Sequence, residues 1–288
     1  MRTWIKDPLA ILAEEAERGL VVEGTKIASR VGGGQTPERL DAVFDASSHV
    51  VLPGLVNAHH HFYQTLTRAH PQAINRALFP WLTALYPLWA RLRPKHLRLA
   101  SRLALAELLM SGCTTAADHH YLYPRGLEDA VDIEVEEARR LGMRMTVTRG
   151  SMNLSIKDGG LPPDSVVQDE DTILKDSERV LKLFHDPKPG AWVRVALAPC
   201  SPFSISKNLM SESAILAEVH DCRLHTHLCE TADEEQFCLR TYGRRPVDLL
   251  EETGWMSSRV WLAHGIHFND DEIARLGRAG VGVCHCAA

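Results

Sequence analysis

Beyond residue 55, the chain alternates short apolar runs of strand length with longer segments in which apolar residues recur at helical spacing. The apolar runs lie at residues 55–56, 114–120, 143–149, 192–198, 223–228, 260–264 and 281–284. The helical segments lie at residues 94–111, 127–141, 171–185, 211–220, 247–252 and 270–279. Strands separated by helices predict an α/β fold with a parallel sheet, because parallel neighbours need long crossover connections.

The first 52 residues follow a different pattern. Residues 19–28 predict a short β-hairpin, three glycines at 32–34 interrupt the chain, and residues 43–46 predict a further strand. We therefore predict a small β domain over residues 1–52 and a main domain over residues 53–288.

Side chains that can bind a metal collect at the ends of the predicted strands. His59 and His61 follow the first strand, His227 and Glu230 the fifth, and His264 the sixth. Alternate residues of a strand share a face, so His59 and His61 are predicted to point the same way. Polar residues at many strand ends are typical of the active-site face of a (β/α)8 barrel, whereas an open doubly wound sheet gathers its chemistry at one switch point. An eighth strand is missing from the sequence, so we expect a longer natural protein.

Three neutral imidazoles suit zinc and leave a position for a water whose pKa the metal lowers to about 7. Iron is the alternative metal. Glu230 is suited to shuttle the proton of that water, and His264 could be a fourth ligand or could hold the hydroxide. A single histidine or glutamate at a strand end more often has only a structural role. The recurrence of these residues at several strand ends indicates a metal site.

Composition narrows the function classes. A net charge of −5 does not indicate a nucleic-acid-binding surface. Because no apolar run reaches about 18 residues, no membrane-spanning segment is expected. Seven cysteines without the spacing of a disulfide framework favour free thiols and a cytoplasmic location.

Three segments together, residues 53–61, 227–230 and 262–265, resemble the amidohydrolase superfamily in its aminohydrolase branch. The resemblance implies a distorted (β/α)8 barrel with a small β domain, and homo-oligomers. It also implies that His59, His61 and His227 bind one metal, usually zinc, together with an Asp from strand eight. Glu230 would move the proton from water to the leaving group, and His264 would orient the hydroxide. The strand-eight Asp has no counterpart before the sequence ends at Ala288.

Within that branch, residues 60–68, 114–122, 148–152 and 198–203 are most similar to 8-oxoguanine deaminases. The resemblance implies attack of a metal-bound hydroxide on C2 of 8-oxoguanine, giving urate and ammonia. Cys200 stands where deaminases of S-adenosylhomocysteine usually have His, which fits a compact oxidised purine. Gln64, Tyr121, Arg149 and Cys200 are the predicted substrate contacts, and residues 78–81 could form an aromatic lid or part of the core.

Two other functions remain open. A related aminohydrolase could act on guanine, a triazine or an adenosine-type nucleoside, because substrate preference depends on few pocket residues. A non-catalytic metal- or purine-binding protein is the second alternative, although such a protein has no need of the proton shuttle that Glu230 would provide.

Overall fold

The computed structural model describes residues 1–286. The chain divides into two compact units, Met1–Leu55 and Val56–Ala288. Among the described residues, every helix is too short or too polar to span a lipid bilayer. The seven cysteines are free thiols, as predicted.

The first unit is built from short strands. They are β1 (Arg2–Lys6), β2 (Ala10–Ile11), β3 (Gly19–Glu23), β4 (Lys26–Arg30), β5 (Ala42–Asp45) and β6 (Val50–Val51). Four of them form a sheet in the order β4-β3-β1-β5, and β2 pairs with β6. The predicted hairpin is the antiparallel pair of β3 and β4. Gly19 has φ +100°, and a Cβ there would lie 1.8 Å from the backbone oxygen of Ile5, so the β1–β3 contact requires glycine.

The second unit alternates strands and helices, and its first strand begins at the boundary residue Leu55. Its strands are β7 (Leu55–Asn57), β8 (Cys113–Asp118), β9 (Arg144–Ser151), β10 (Val193–Pro199), β11 (Arg223–Leu228), β12 (Val260–His264) and β13 (Gly282–Cys284). Its helices are α1 (Leu78–Trp89), α2 (Pro94–Met110), α3 (Ala130–Leu141), α4 (Glu170–Phe184), α5 (Lys207–Val219), α6 (Ala232–Tyr242), α7 (Pro246–Glu252) and α8 (Asp270–Ala279). Short 3₁₀ helices lie at Phe62–Thr67, Ile156–Asp158 and Asp164–Val166.

The strands β7 to β13 form one sheet in chain order, and the pairs from β8 to β13 are parallel, so the predicted parallel sheet is confirmed. His59, just after β7, lies 2.8 Å from His225 on β11, although β7 and β11 are four places apart in the sheet. Strand neighbours are spaced by about 4.8 Å, so this contact requires the sheet to curl. The curled sheet brings the carboxyl ends of its strands together.

The helices end where the sequence provides caps. At the start of α8, the Asn269 side chain accepts a hydrogen bond from the Glu272 backbone and the Glu272 side chain accepts one from the Asn269 backbone. Gly142 ends α3 with φ +72°. Buried aliphatic residues of the helices and of the sheet pack together in one core, which includes Val135 of α3, Val195 of β10 and Leu262 of β12. The sheet is therefore held as a rigid base for the groups at its carboxyl end.

Candidate active site

The three consecutive histidines lie in a loop after β7, so the alternation of side chains along a strand, from which His59 and His61 were predicted to point the same way, does not apply to them. β7 ends at Asn57, and the backbone beyond it is held by the end of β8. The His119 N–H donates to the His60 oxygen over 2.7 Å, and the Phe62 N–H donates to Asp118 Oδ1 over 2.6 Å. This loop directs His59 and His61 into one site and leaves the His60 ring outside the histidine group.

Four imidazoles converge at this point. One ring nitrogen from each of His59, His61, His119 and His227 lies within 4.8 Å of the others. Sequence reasoning missed His119, which directly follows β8 and packs against the His227 ring at 4.5 Å and 21°. The strand-end rule that selected His227 could also have selected His119.

Hydrogen bonds determine which ring nitrogen of His61 and of His227 keeps a lone pair for a metal. His61 Nδ1 lies 2.7 Å from the His119 oxygen, and His227 Nδ1 lies 2.7 Å from the Cys200 oxygen. A carbonyl oxygen only accepts, so each Nδ1 carries the hydrogen and each Nε2 of a neutral ring keeps its lone pair. These two Nε2 atoms face each other at 3.1 Å. Facing lone pairs repel, and a cation beside both relieves the repulsion, so the donor set fits a divalent metal ion.

Burial keeps these rings neutral. It lowers the pKa of His61 to about 3, and it lowers the pKa of His59 and His227 well below the ordinary value, with the neighbouring imidazoles adding to the effect. Neutral imidazole is the form that binds metals, so protons do not compete for this site near neutral pH.

Glu230 follows β11 in a turn that a second carboxylate holds. Cys229 has φ +52°, and the two oxygens of Glu234 accept the N–H groups of Cys229 and Glu230, each over 2.9 Å. Burial raises the pKa of Glu230 to about 7. Glu230 can therefore gain or lose a proton near neutral pH.

His264 lies at the end of β12 with φ +77°, a conformation rarely adopted by residues other than glycine. Its Nε2 lies 3.5 Å from Glu230 Oε2, and its ring stacks on His227 at 5.3 Å and 17°. Burial lowers the pKa of His264 to about 4, so its ring is neutral near neutral pH. The strained backbone places His264 beside the metal-binding group and against Glu230.

A cavity of about 490 Å³ opens onto these groups. The residues predicted from the sequence that line it are His59, His61, Gln64, Tyr121, Cys200, His227, Glu230 and His264. Among the described residues that line it, Glu230 is the only carboxylate. Trp81 and Leu78 of α1 also line the cavity, whereas Phe79 packs against Phe203 at 4.8 Å.

Arg149 is placed elsewhere, unlike the sequence prediction. It is 1% exposed, its Nε donates to Asp176 over 2.6 Å, and its Nη2 donates to Gln168 over 2.8 Å. Its guanidinium also lies 3.8 Å from the centroid of the Tyr123 ring. Because Asp176 belongs to α4, Arg149 points towards the helix layer and not into the cavity. Arg149 is therefore not positioned to contact a substrate in the cavity.

A second buried polar set consists of Asp118, His120 and Glu134, and sequence reasoning also missed it. All three side chains are fully buried, and His120 Nδ1 lies 3.3 Å from Glu134 Oε1. Burial raises the pKa of Glu134 to about 8, and it raises that of Asp118 well above its usual range, with the nearby Glu134 adding to the effect. The Glu134 carboxyl group therefore holds a proton at neutral pH.

A dependence of stability on pH follows. Between the ordinary pKa of 4.5 and about 8, the folded protein keeps the Glu134 proton that the unfolded chain releases, so the free energy of unfolding falls as pH rises. The slope is at most about 1.4 kcal/mol per pH unit. In urea denaturation at pH 5 and pH 8, we expect Glu134→Gln to lose less stability than the wild type over this interval. Equal losses would contradict the assignment.

Comparisons with known proteins place this site in a family. The amidohydrolase family model matches residues 50–288. The chain is 60% identical over 289 residues to the 8-oxoguanine deaminase of Pseudomonas aeruginosa, and the match covers 99% of this chain and 64% of that protein. It is 37% identical to the hydroxydechloroatrazine ethylaminohydrolase of Pseudomonas sp. (strain ADP), over 94% of this chain and 56% of that protein.

Solved structures share the fold. The crystal structure of atrazine chlorohydrolase from Arthrobacter aurescens TC1, complexed with zinc, matches with a TM-score of 0.92 at 31% identity. This match covers 99% of our chain and 66% of the other. The chain thus spans less than two thirds of the length of these relatives. Because the family model matches most of its residues, the chain belongs to the amidohydrolase family.

Proposed function

We propose that the protein is a zinc-dependent hydrolytic deaminase of an oxidised purine base, converting 8-oxoguanine and water to urate and ammonia. One observation carries the proposal: neutral histidines that fit a metal open onto a cavity whose only carboxylate among the described residues, Glu230, titrates near neutral pH. The 60% identity to an 8-oxoguanine deaminase supports the choice of substrate.

We further propose the architecture that the family implies. The curled seven-stranded sheet would be part of a distorted (β/α)8 barrel over residues 53–288, and residues 1–52 would belong to a small β domain. The TM-score of 0.92 to a zinc-containing family structure supports the barrel. By resemblance to the family, the protein would form homo-oligomers.

His59, His61 and His227 would hold the metal, which we propose to be zinc, with iron as the alternative. A divalent metal bound there supplies chemistry that the side chains lack, because it lowers the pKa of a bound water to about 7 and so provides a nucleophile. The zinc in the related Arthrobacter structure supports this choice of metal. A strand-eight Asp would complete the ligand set by resemblance.

Glu230 would act as base and then as acid. It takes a proton from the attacking water while the water oxygen bonds to C2 of the purine. It then gives a proton to the 2-amino nitrogen, the C2–N bond breaks, and ammonia leaves with that proton. A pKa of about 7 suits both steps, because the carboxyl group must exchange its proton in each cycle. His264, 3.5 Å from Glu230, would help to orient the nucleophile.

Gln64, Tyr121 and Cys200 would contact the purine. The Gln64 amide donates to the Tyr63 hydroxyl over 3.2 Å, which orients its side chain at the cavity wall. Tyr121 packs edge-on against His61 at 5.3 Å. Burial raises the pKa of the Cys200 thiol to about 12, so a small neutral group borders the site. The uncharged side chains of Gln64, Tyr121 and Cys200 suit an uncharged purine base, and Trp81 could cover it from α1.

Triazine hydrolysis is the second candidate, supported by the 37% identity to the ethylaminohydrolase and by the Arthrobacter structure. The two reactions share the hydrolytic chemistry and differ in the pocket. Guanine and adenosine-type nucleosides are further alternatives of the same class. A non-catalytic metal- or purine-binding protein would use the same histidines without needing Glu230.

Ammonia release by the full-length, zinc-loaded protein tests the proposal. 8-Oxoguanine, guanine and S-adenosylhomocysteine would be offered in parallel for ammonia release, and hydroxydechloroatrazine for release of ethylamine, the amine that an ethylaminohydrolase removes. We expect much faster release from 8-oxoguanine than from the others. Faster release from another compound would reject the substrate assignment and keep the reaction class, whereas no release from any of them would favour the binding protein.

A further inference from the structure

His225 lies on β11, two residues before His227, and is 1% exposed. Its Nδ1 lies 2.8 Å from the backbone oxygen of Trp261, and its Nε2 lies 2.8 Å from His59 Nδ1. Both ring nitrogens are thus used within the protein. His225 was not among the residues selected from the sequence, and it lies outside the group of four converging imidazoles.

The positions of the hydrogens follow from these contacts. The Trp261 oxygen can only accept, so His225 Nδ1 donates to it. The buried ring is neutral, so its Nε2 has a lone pair and accepts from His59 Nδ1. His59 therefore carries its hydrogen on Nδ1 and keeps the lone pair of its Nε2. A backbone oxygen on β12 thereby determines, through His225, which nitrogen of His59 is free.

Trp261 also fixes the position of both rings. Its side chain stacks on His225 with a centroid distance of 4.2 Å and an angle of 14°. Its Nε1 donates to the oxygen of Ala58 over 3.0 Å, and Ala58 directly precedes His59. One residue of β12 therefore holds the imidazole that contacts His59 and the backbone that carries His59.

We propose that His225 is a positioning residue that sets the tautomer and ring orientation of His59 for metal binding, with Trp261 holding it in place. The proposal rests on the proposed metal site. His61 and His227 each donate Nδ1–H to a backbone oxygen, whereas the first partner of His59 is a side chain. The tautomer of His59 can therefore be changed by a side-chain substitution that leaves the backbone contacts of the other two ligands in place.

Zinc affinity of the full-length protein, measured by competition with a chromogenic chelator, is the first test. Loss of a partner behind a metal ligand typically weakens binding by about 10–100-fold, and we expect this for His225→Phe, which keeps an aromatic ring against Trp261. His225→Gln should recover most of the loss, because its amide can donate to Trp261 and accept from His59. His220→Phe, at the end of α5 and outside the site, is the matched control and should bind like the wild type. Wild-type affinity in His225→Phe would overturn the proposal.

The second test does not depend on metal binding. ¹⁵N NMR of histidine-labelled, metal-free protein reports which nitrogen of each ring carries the hydrogen. We expect His59 to be the Nδ1–H tautomer in the wild type and in His225→Gln, and to shift towards the Nε2–H tautomer in His225→Phe, with thermal unfolding confirming that each variant is folded. An unchanged tautomer in folded His225→Phe would reject the proposal. Failure of the wild type to bind zinc would instead reject the proposed metal site, and the NMR result would still decide the role of His225.

Discussion

Glu230→Gln is expected to lower kcat by about 10³-fold, within the range usual for loss of a general acid–base group. Gln keeps the size and polarity of the side chain but cannot accept the proton of the attacking water. Among the described residues that line the cavity, no other carboxylate could replace it. Since Glu230 is not among the converging imidazoles, zinc content and thermal stability should stay at wild-type values.

Steady-state kinetics together with metal analysis check this result. Asp233→Asn is the matched control, because Asp233 is an exposed acidic residue in the first turn of α6, close in sequence to Glu230. The control should keep wild-type kcat. An unchanged kcat in Glu230→Gln would contradict the catalytic role of Glu230. Loss of zinc from this variant would show that Glu230 helps to hold the metal.

His61→Asn should lose the metal and nearly all activity. His61 Nε2 faces His227 Nε2 at 3.1 Å, so its removal takes away a central donor of the group. We expect zinc affinity to fall by more than about 100-fold, the upper end of the loss seen when only an outer partner of a ligand is removed. Metal bound to the folded state stabilises it by about 2.7 kcal/mol when its concentration is 100 times Kd. A chelator should therefore lower the Tm of the wild type and leave that of His61→Asn unchanged.

His60→Asn provides the control for metal binding. Its ring neighbours His61 in sequence and lies outside the histidine group. This variant should retain zinc and the sensitivity of its Tm to the chelator. If His61→Asn bound zinc as tightly as the wild type, the metal would have to lie elsewhere.

The sequence predicts much of the fold because the hydrophobic pattern and the residues that cap helices indicate the same boundaries. The predicted strands at 223–228 and 260–264 match β11 and β12 in full, and the predicted helix at 270–279 matches α8, where Asn269 and Gly280 provide caps. By contrast, α6 was not predicted, since its sequence is mostly charged and polar apart from the buried Phe237 and Cys238. Its start depends on Thr231 and on the contacts of Glu234 with the preceding turn.

The sequence predicted those residues of the site that follow or end strands. His59, His61, His227, Glu230 and His264 share one cavity because the sheet curls and brings their strand ends together. Side-chain direction could not be predicted in the same way. Arg149 follows the same strand-end pattern, yet it turns to Asp176 on α4, a partner 27 residues away that the local sequence does not specify.

The residues that hold His59 and its loop in place were not predicted, for a related reason. His225 lies inside a strand, where a histidine is usually part of the core, and its importance depends on Trp261 and His59, which are 36 and 166 residues away. The loop that carries His59 depends in the same way on Asp118 at the end of β8. Long-range hydrogen bonds of this kind are set by the curled sheet and are not visible in local spacing.

Incubation of the full-length, zinc-loaded protein with 8-oxoguanine in H₂¹⁸O tests the central claim most directly. Hydrolytic deamination forms one new bond between C2 and a water oxygen and releases the 2-amino group. Mass spectrometry should therefore show urate carrying a single ¹⁸O atom, with one ammonia released for each urate formed. The absence of urate and ammonia with zinc bound at one per chain, or urate without the label, would contradict the proposed reaction.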